Sequence, residues 1–429
     1  MESNLYYPGH LNELQTWLNQ KGNLIARGNG RCYGDAALAH NTVSTLSLNQ
    51  ILDFDIENGI ITCQAGVLLA DILQLVVPKG FFLSVSPGTK FITVGGAIAA
   101  DIHGKNHHKE GSFSDFLESF RLIQADEKVV ECSKVKNPAL FWATCGGMGL
   151  TGIIITATFR LRKVQTAFIK QTSYKTKTLS ETLEKIDNAV DDTYSVAWID
   201  CMAKGEKLGR GLLLNGEHAS VEELPEQYTA SPLLFRKKKA ISVPFFLPGM
   251  LLNSFSIKTF NFLYYQRQRA DIQQSFVHYE PYFYPLDSLL HWNRIYGKKG
   301  FTQYQCVLPQ SEGKKGISEL LSKIRDSGFG SFLTVLKLMG PGHNQSPLAF
   351  PMQGYTLALD FKITKGLFAM LDALDRIVLE YGGRLYLAKD ARMASTVFKQ
   401  TYTQSSSFRN RFMTKENKLY SALAQRLEL

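Results

Sequence analysis

Short apolar runs separated by Gly, Pro, Asn and Asp fill the first third of the chain, a pattern typical of many short strands joined by turns. Leu11, Leu14 and Leu18 lie at helical spacing and predict one short helix near the start. Residues 155–162 alternate between apolar and polar side chains, which indicates a half-buried strand because successive strand residues point to opposite faces. We therefore expect a first domain of the α+β class over residues 1–163.

The rest of the chain alternates apolar strand-like runs with amphipathic helix-like runs. This alternation predicts a second α+β domain over residues 164–380, with an antiparallel sheet and covering helices. Residues 381–429 are expected to return to the first domain as a C-terminal segment.

Composition and charge narrow the class of protein. The chain has 429 residues, of which 45% are hydrophobic and 20% charged, as in ordinary globular proteins. The formal net charge of +10 favours anionic partners such as phosphates or an anionic membrane surface. Six cysteines show neither a CxxC motif nor zinc spacing, so we expect no metal site. The chain starts without a signal-peptide pattern, so we expect a cytoplasmic protein.

One segment, residues 236–269, differs from the rest of the second domain. It joins the basic run 236–239 (RKKK) to an apolar stretch and then to four aromatic residues. The apolar run 241–257 contains two prolines and falls short of the about 20 residues of a spanning helix. The composition suits the interface of an anionic leaflet. A solvated charge run that precedes a core segment is the alternative.

Three glycine-rich stretches in the first domain are the main candidates for ligand binding. They cover residues 28–34, 86–100 and 146–152. The first has GxGxxxG spacing and lacks the rest of a Rossmann fingerprint. Backbone without side chains lets an anionic ligand approach main-chain N–H groups, so the three stretches favour a long phosphorylated cofactor. Three tight turns in a β-rich domain are the alternative.

A histidine-rich run, His103 to His108, lies between these stretches. His103 is separated from the other two histidines, so one face of an element cannot present all three to a metal. We expect polar or cofactor-facing roles for His103 and Lys105 instead.

Longer motifs resemble a known family. The first domain resembles the PCMH-type flavin domain of the vanillyl-alcohol oxidase superfamily in its stretches RGNGRCYGD (27–35), SPGT (86–89), VGGAIAADIHGKNHH (94–108) and GGMGLTGIIITAT (146–158). The second part resembles the family of decaprenylphosphoryl-β-D-ribose oxidases in YPLDSLLHWNRIYG (284–297), FTQYQCVLP (301–309) and GGRLYLAKDAR (382–392).

The resemblance implies FAD as the cofactor. Arg31 follows the first GxG, where relatives with covalent flavin often carry histidine, so non-covalent FAD is expected. The residues expected to hold FAD come from the matched motifs. They are Arg27, Gly28, Asn29, Gly30, Arg31, Cys32, Tyr33, Pro87, Gly88, Thr89, Val94, Gly95, Gly96, Ala97, Ala100, Ile102, His103, Gly104, Gly149, Gly152, Ile154 and Tyr386.

The resemblance also implies a substrate site. Lys389 matches the essential lysine of the family, and substrate binding is expected from Gln303, Gln305, Lys337, Lys105 and Tyr33. On a strand, Gln303 and Gln305 would point to one face, which suits paired hydrogen bonds to sugar hydroxyls. The alternatives are a strand-end lysine paired with Asp390, and the polar face of an edge strand.

Three positions depart from the family pattern. Ala358 replaces a pocket cysteine, Thr356 an asparagine and Phe283 a tyrosine. These changes leave the expected oxidation chemistry intact but weaken the inference of the identical pentose and lipid.

The expected function is oxidation of a secondary sugar hydroxyl by FAD. C2 of a polyprenyl-phosphate-linked pentose is the first choice of substrate, as the first half of an epimerisation completed by a short-chain reductase partner. A peripheral membrane location and no nucleic-acid partner are expected. The alternatives are an aldonolactone or alditol oxidase that releases hydrogen peroxide, and a non-catalytic flavoprotein that docks on membranes.

Overall fold

The computed structural model describes residues 2–20, 23–234, 241–342, 345–414 and 416–429. The basic run 236–239 lies outside these described residues. The first domain begins with a parallel three-stranded sheet, in the order Asn4–Tyr6, Asn41–Ser44 and Leu24–Arg27. The predicted helix is present as Leu11–Gln20 and buries Leu14 and Leu18.

A larger antiparallel sheet completes the first domain. Its strands are Ile51–Asp55, Ile60–Gln64, Ile153–Lys163, Leu117–Ile123 and Val129–Ser133, with Phe81–Leu83 paired to the end of Ile153–Lys163. The strand Ile153–Lys163 contains the alternating run predicted from the sequence. The helices of this domain are Leu69–Val76, Val94–Ala99, His107–Glu110 and Pro138–Thr144, with short 3-10 turns at Val77–Lys79 and Phe113–Phe116.

The second domain is built on an eight-stranded antiparallel sheet. The strands lie in the order Ile272–His278, Phe168–Thr176, Gly211–His218, Tyr194–Ile199, Thr334–Met339, Gly354–Lys362, Phe301–Pro309 and Arg384–Leu385. The helices Leu179–Asp187, Gln310–Ser327 and Leu367–Glu380 pack on this sheet. The α+β class and the antiparallel sheet of the second domain are confirmed.

Smaller elements connect these layers. A two-stranded parallel ribbon joins Ile241–Ser242 to Leu289–Leu290. The remaining helices are Glu226–Thr229, Ser254–Gln266, Tyr279–Phe283, Ser395–Thr401, Ser405–Phe412 and Ala422–Leu427, and the remaining 3-10 turns are Gly205–Lys207, Gly249–Leu251 and Trp292–Tyr296.

The C-terminal segment contacts both domains. Its strand Arg384–Leu385 lies at the edge of the second-domain sheet. Further on, Leu24 donates its backbone N–H to Lys418 and accepts one from Tyr420, which ties the chain end to the first domain. The guanidinium of Arg426 makes two hydrogen bonds, of 2.8 and 2.9 Å, to the carboxylate of Asp35. The segment therefore holds the two domains against each other.

Candidate active site between the two domains

A cavity of about 1560 Å³ lies between the first domain and the sheet of the second domain. The glycine-rich stretches form one wall of the cavity. Seven of the eight strands of the second-domain sheet form the other wall. The cavity is large enough, by the usual size of ligand pockets, for a cofactor together with a substrate.

Most residues expected to bind cofactor or substrate line this cavity. The lining includes Gly28, Asn29, Gly30, Arg31, Cys32, Tyr33, Pro87, Gly88, Thr89, Gly95, Gly96, Ala100, Ile102, His103, Gly104, Lys105, Gly149, Gly152, Ile154, Gln303, Gln305, Lys337, Tyr386 and Lys389. Residues up to about 360 positions apart in the chain meet here.

Three of the expected cofactor residues do not line the cavity. Val94 and Ala97 belong to the helix Val94–Ala99 and are fully buried in the core of the first domain. Arg27 lies next to the lining, and its guanidinium donates to the backbone carbonyl of Ala37. The helical period explains why Val94 and Ala97 do not reach the cavity, because only some positions of a helix can face one ligand.

Tight backbone packing shapes the first glycine-rich loop. A Cβ atom on Gly28 would collide with the side chain of Thr93, which caps the helix Val94–Ala99 by accepting from the Gly96 N–H at 3.1 Å. Asn29 donates its side-chain amide to the Phe91 carbonyl at 2.8 Å. The loop and the helix N-terminus are thus held side by side at the cavity wall.

His103 connects the two walls through hydrogen bonds. The side-chain amide of Gln305 lies 3.1 Å from His103 Nε2 and 3.2 Å from Thr356 Oγ1. Thr356 donates its hydroxyl proton to the Cys306 carbonyl, so its oxygen accepts from Gln305. The other amide proton then goes to His103 Nε2, which assigns a neutral imidazole with its proton on Nδ1. Burial and the nearby charge of Lys337 hold the pKa of His103 well below its usual range.

Lys389 lies in a turn that follows the edge strand Arg384–Leu385. Its ammonium group is 4.0 Å from the centre of the Tyr33 ring, in the first domain. Asp390 is not its partner, because that carboxylate pairs with Arg426 at 2.8 Å. Burial lowers the pKa of Lys389, and the negative charge of Asp360 opposes that shift. A lysine in this state can take up a proton near neutral pH.

Asp360 is a buried carboxylate that sequence reasoning missed. It lies directly opposite Gln303 in the sheet, and Gln303 donates its amide proton to Asp360 Oδ1 at 2.5 Å. Burial raises the pKa of Asp360, and the Gln303 hydrogen bond and the Lys389 charge oppose that rise. Strand alternation was the available signal, because Thr356, Ala358 and Asp360 share the face that carries the cavity.

Two further lysines approach the cavity without a carboxylate partner among the described residues. Lys105 donates to the Tyr282 carbonyl and lies 4.0 Å from the Tyr282 ring centre. Lys337 donates to the Gly104 carbonyl at 3.3 Å. Burial and the charge of Lys337 lower the pKa of Lys105 to about 7, and burial and the charge of Lys389 lower the pKa of Lys337 to about 8. The site is therefore electropositive.

The donors and the shape of the wall fit FAD. A Cβ atom on Gly88 would meet open space, so the backbone of this loop leaves room for a pyrophosphate to lie against it. His103 Nδ1 is buried and has no hydrogen-bond partner among the described residues, so a cofactor acceptor can take its proton. Within the same described residues, no cluster of His, Cys, Asp and Glu has the arrangement of a metal site.

Comparison with known proteins agrees with this geometry. The family model described as FAD binding domain matches residues 6–133. Decaprenylphosphoryl-β-D-ribose oxidase of Mycolicibacterium smegmatis is 38% identical over 413 residues, which cover 95% of this chain and 89% of that protein. L-gulonolactone oxidase of Mus musculus is 32% identical over 141 residues, 33% of this chain and 31% of that protein.

The fold and the site define an FAD-dependent oxidoreductase that acts on CH–OH groups. Within this class, the chain belongs to the family of decaprenylphosphoryl-β-D-ribose oxidases. The expectations of family, enzyme class and FAD are confirmed. Individual site residues and the non-covalent attachment of FAD stay predictions.

Proposed function

We propose that the protein oxidises a secondary hydroxyl of a lipid-linked pentose, most simply at C2, to a keto sugar. One observation carries this proposal: Lys389 and the amide pair Gln303 and Gln305 meet in one cavity, beside the wall that suits FAD. An alcohol oxidation needs a hydride acceptor, a group that receives the hydroxyl proton and donors or acceptors that orient the ring.

We assign each of these three requirements to FAD or to a residue of this site. FAD, when bound, supplies the hydride acceptor. Lys389 in its neutral form receives the hydroxyl proton, which its lowered pKa permits near neutral pH. Gln303 and Gln305 lie on one face of the strand Phe301–Pro309, where their amide oxygens can accept hydrogen bonds from neighbouring hydroxyls. Tyr33 packs against the lysine, with its ring centre 4.0 Å from the ammonium group.

The choice of substrate rests on the relative from Mycolicibacterium smegmatis, whose name states decaprenylphosphoryl-β-D-ribose. Ala358 faces Gln305 in the sheet, and Thr356 bonds Gln305 directly. These two positions therefore set the space and polarity beside the sugar. A keto product requires reduction on the opposite face to complete an epimerisation, so we propose a short-chain NAD(P)H-dependent reductase as the partner.

The test is anaerobic bleaching of the bound flavin. Purified holoenzyme is mixed with polyprenyl-phosphoryl pentoses and, separately, with free aldonolactones and alditols. Bleaching by the lipid-linked pentoses, with a 2-keto sugar as product, supports the proposal. Bleaching by lactones alone, with hydrogen peroxide formed in air, identifies an aldonolactone oxidase instead. If no sugar reduces the flavin, the protein is a non-catalytic flavoprotein instead.

We also propose that the protein docks on an anionic membrane through residues 241–263. Many large apolar side chains are exposed there, and Met250 and Phe255 are 79% and 78% exposed. The others are Ile241, Phe245, Phe246, Leu251, Phe260, Phe262 and Leu263. A patch of this kind on a monomer marks an interaction surface. Among the described residues, no helix is long and apolar enough to cross a bilayer.

Charge supports a lipid leaflet as the partner of this surface. Residues 227–270 contain seven Lys or Arg and no Asp or Glu. Lys258, Arg267 and Arg269 lie within the described part of that range. Apolar side chains flanked by cations alone are typical of proteins that bind anionic lipid surfaces.

A further inference from the structure

We propose that the cavity contains a prenyl-phosphate subsite beside the sugar site, with Lys105 and Lys337 holding the phosphate and an apolar strip of the sheet holding the first isoprene units. The proposal rests on the proposed function and deepens it, because it assigns the lipid part of the substrate to named residues. Three observations carry it: the order of side chains across the sheet, the two lysines without a carboxylate partner, and the continuity with the exposed apolar surface.

The register of the sheet sets the order of side chains along the cavity floor. Gln305 lies opposite Ala358, Ala358 lies opposite Val335, and Val335 lies opposite Trp198. Each step crosses one strand spacing of about 4.8 Å, so Trp198 lies about 14 Å from Gln305. All four residues line the cavity. The floor therefore changes from amide to apolar side chains with distance from the sugar site.

The two lysines lie where this change occurs. Lys337 is on the same strand and the same face as Val335, two residues further on. Lys105 approaches from the first domain, where burial and the charge of Lys337 lower its pKa. Both amines donate only to backbone carbonyls in the described structure. A phosphodiester placed between them would supply the missing negative charge and accept charge-assisted hydrogen bonds.

An apolar strip begins directly after the lysines. Val196, Trp198, Leu214, Leu333 and Val335 contribute to it from three neighbouring strands, with Leu333 directly preceding the strand Thr334–Met339. The indole N–H of Trp198 donates to the Phe332 carbonyl at 2.9 Å, so its polar atom is satisfied away from the strip.

The strip leads towards the surface proposed to contact the membrane. Tyr264 of the helix Ser254–Gln266 lines the cavity and packs on Trp198, with ring centres 4.6 Å apart. Leu289 and Leu290 also line the cavity and pair with Ile241–Ser242, where the exposed apolar segment begins. A prenyl chain can thus run from the site to a bilayer over apolar side chains.

The charge part of the subsite is tested with Lys337→Met in the holoenzyme. Affinity for farnesyl monophosphate, measured by calorimetry, is expected to fall by about 10- to 100-fold, the usual cost of a lost charge-assisted hydrogen bond. Affinity for uncharged farnesol is expected to stay within about twofold. Lys365→Met, which removes an exposed cation, is the matched control and should change neither affinity. Equal losses for both ligands, or loss of FAD absorbance from Lys337→Met, would overturn the phosphate assignment.

The apolar part is tested by chain length. Dimethylallyl, geranyl and farnesyl monophosphates are expected to bind with rising affinity, at least about tenfold from first to last, because each added unit buries apolar surface. Val335→Asp should abolish this gain, and the nearly isosteric Val335→Thr should reduce it if the carboxylate prevents folding. Affinity that does not depend on chain length would refute the strip.

The outcomes separate this inference from the proposed function. Prenyl phosphates that bind as expected while no pentose bleaches the flavin would leave the subsite standing and refute the sugar oxidation. Bleaching by pentosyl phosphates with or without a prenyl chain, at equal KM, would support the oxidation and refute the subsite.

Discussion

Burial lowers the pKa of the Lys389 amine, and the neighbouring carboxylate of Asp360 raises it. We expect Lys389→Met to lower the rate of flavin reduction by about 10²- to 10⁴-fold, the usual contribution of a general base. Lys389 contacts the Tyr33 ring through its ammonium group, and the methionine side chain can still pack on that ring, so FAD should remain bound. Stopped-flow absorbance follows the reduction, and the visible spectrum of the purified variant reports the FAD content.

The control for this variant is Lys365→Met, since Lys365 is exposed and far from the cavity lining. An unchanged reduction rate in Lys389→Met would remove the lysine from the chemistry. If the Lys389→Met variant is purified without FAD, Lys389 serves in cofactor binding instead.

The position of Asp360 beside Lys389 leads to a separate prediction about how flavin reduction depends on pH. Its negative charge favours the protonated form of Lys389, so Asp360→Asn should lower the pKa of the lysine further. The rate of flavin reduction rises as the lysine loses its proton, and this rise should move to lower pH by about one unit. The amide still accepts from Gln303, so the geometry is kept. Rate against pH, measured at saturating substrate, checks the shift; a profile that moves to higher pH or stays fixed contradicts the pairing.

Between elements, the first glycine-rich loop packs tightly against the C-terminal segment. A Cβ atom on Gly34 would collide with the carbonyl oxygen of Asp390, and Tyr33 donates its N–H to Ala388 at 3.1 Å. Gly34→Ala should therefore displace the turn that carries Lys389. We expect a loss of about 1–3 kcal/mol in the free energy of unfolding, measured by urea denaturation, together with slower flavin reduction.

Gly9→Ala is the matched control for this substitution. A Cβ atom there meets Glu13 at an ordinary contact distance of 3.6 Å, and the residue is exposed. Its free energy of unfolding should stay within about 0.5 kcal/mol of the wild-type value. Equal stability of the two variants would show that the loop and the turn are not rigidly packed.

The spacing of apolar residues in the sequence correctly predicted the helices and strands that depend on residues close together in the chain. The alternation of residues 155–162 predicted the strand Ile153–Lys163, and the spacing of leucines predicted the helix Leu11–Gln20. The two-residue period also placed Gln303 and Gln305 on one face. The pairing of Asp360 with Gln303 was not predictable this way, because strand order in the sheet joins segments 57 residues apart. Motif matching likewise assigned Val94 and Ala97 to the cofactor, whereas the helix turns both into the core.

Over the whole molecule, the cavity and the helix Ser254–Gln266, which carries part of the exposed apolar surface, lie on the same side of the second-domain sheet, since Tyr264 of this helix lines the cavity. Tyr304 points to the other side, where it donates to Asp375 of the helix Leu367–Glu380 at 3.1 Å. Gln303 and Gln305, its neighbours on the strand, line the cavity. The sheet thus separates a helical layer from the face that lines the cavity.

This arrangement predicts where a membrane would contact the protein. The double variant Met250→Ser and Phe255→Ser should weaken binding to vesicles of anionic phospholipid by about 10²- to 10⁴-fold, because each of the two apolar side chains contributes about 1.5–3 kcal/mol when buried. Phe368→Ser is the matched control, since Phe368 is 46% exposed on the helix Leu367–Glu380, away from the cavity. Vesicle co-sedimentation at rising salt should also show weaker binding of the wild type, as expected when cations contribute. Equal losses from the control and the double variant would place the contact elsewhere, and salt-independent binding would leave the basic residues without a role.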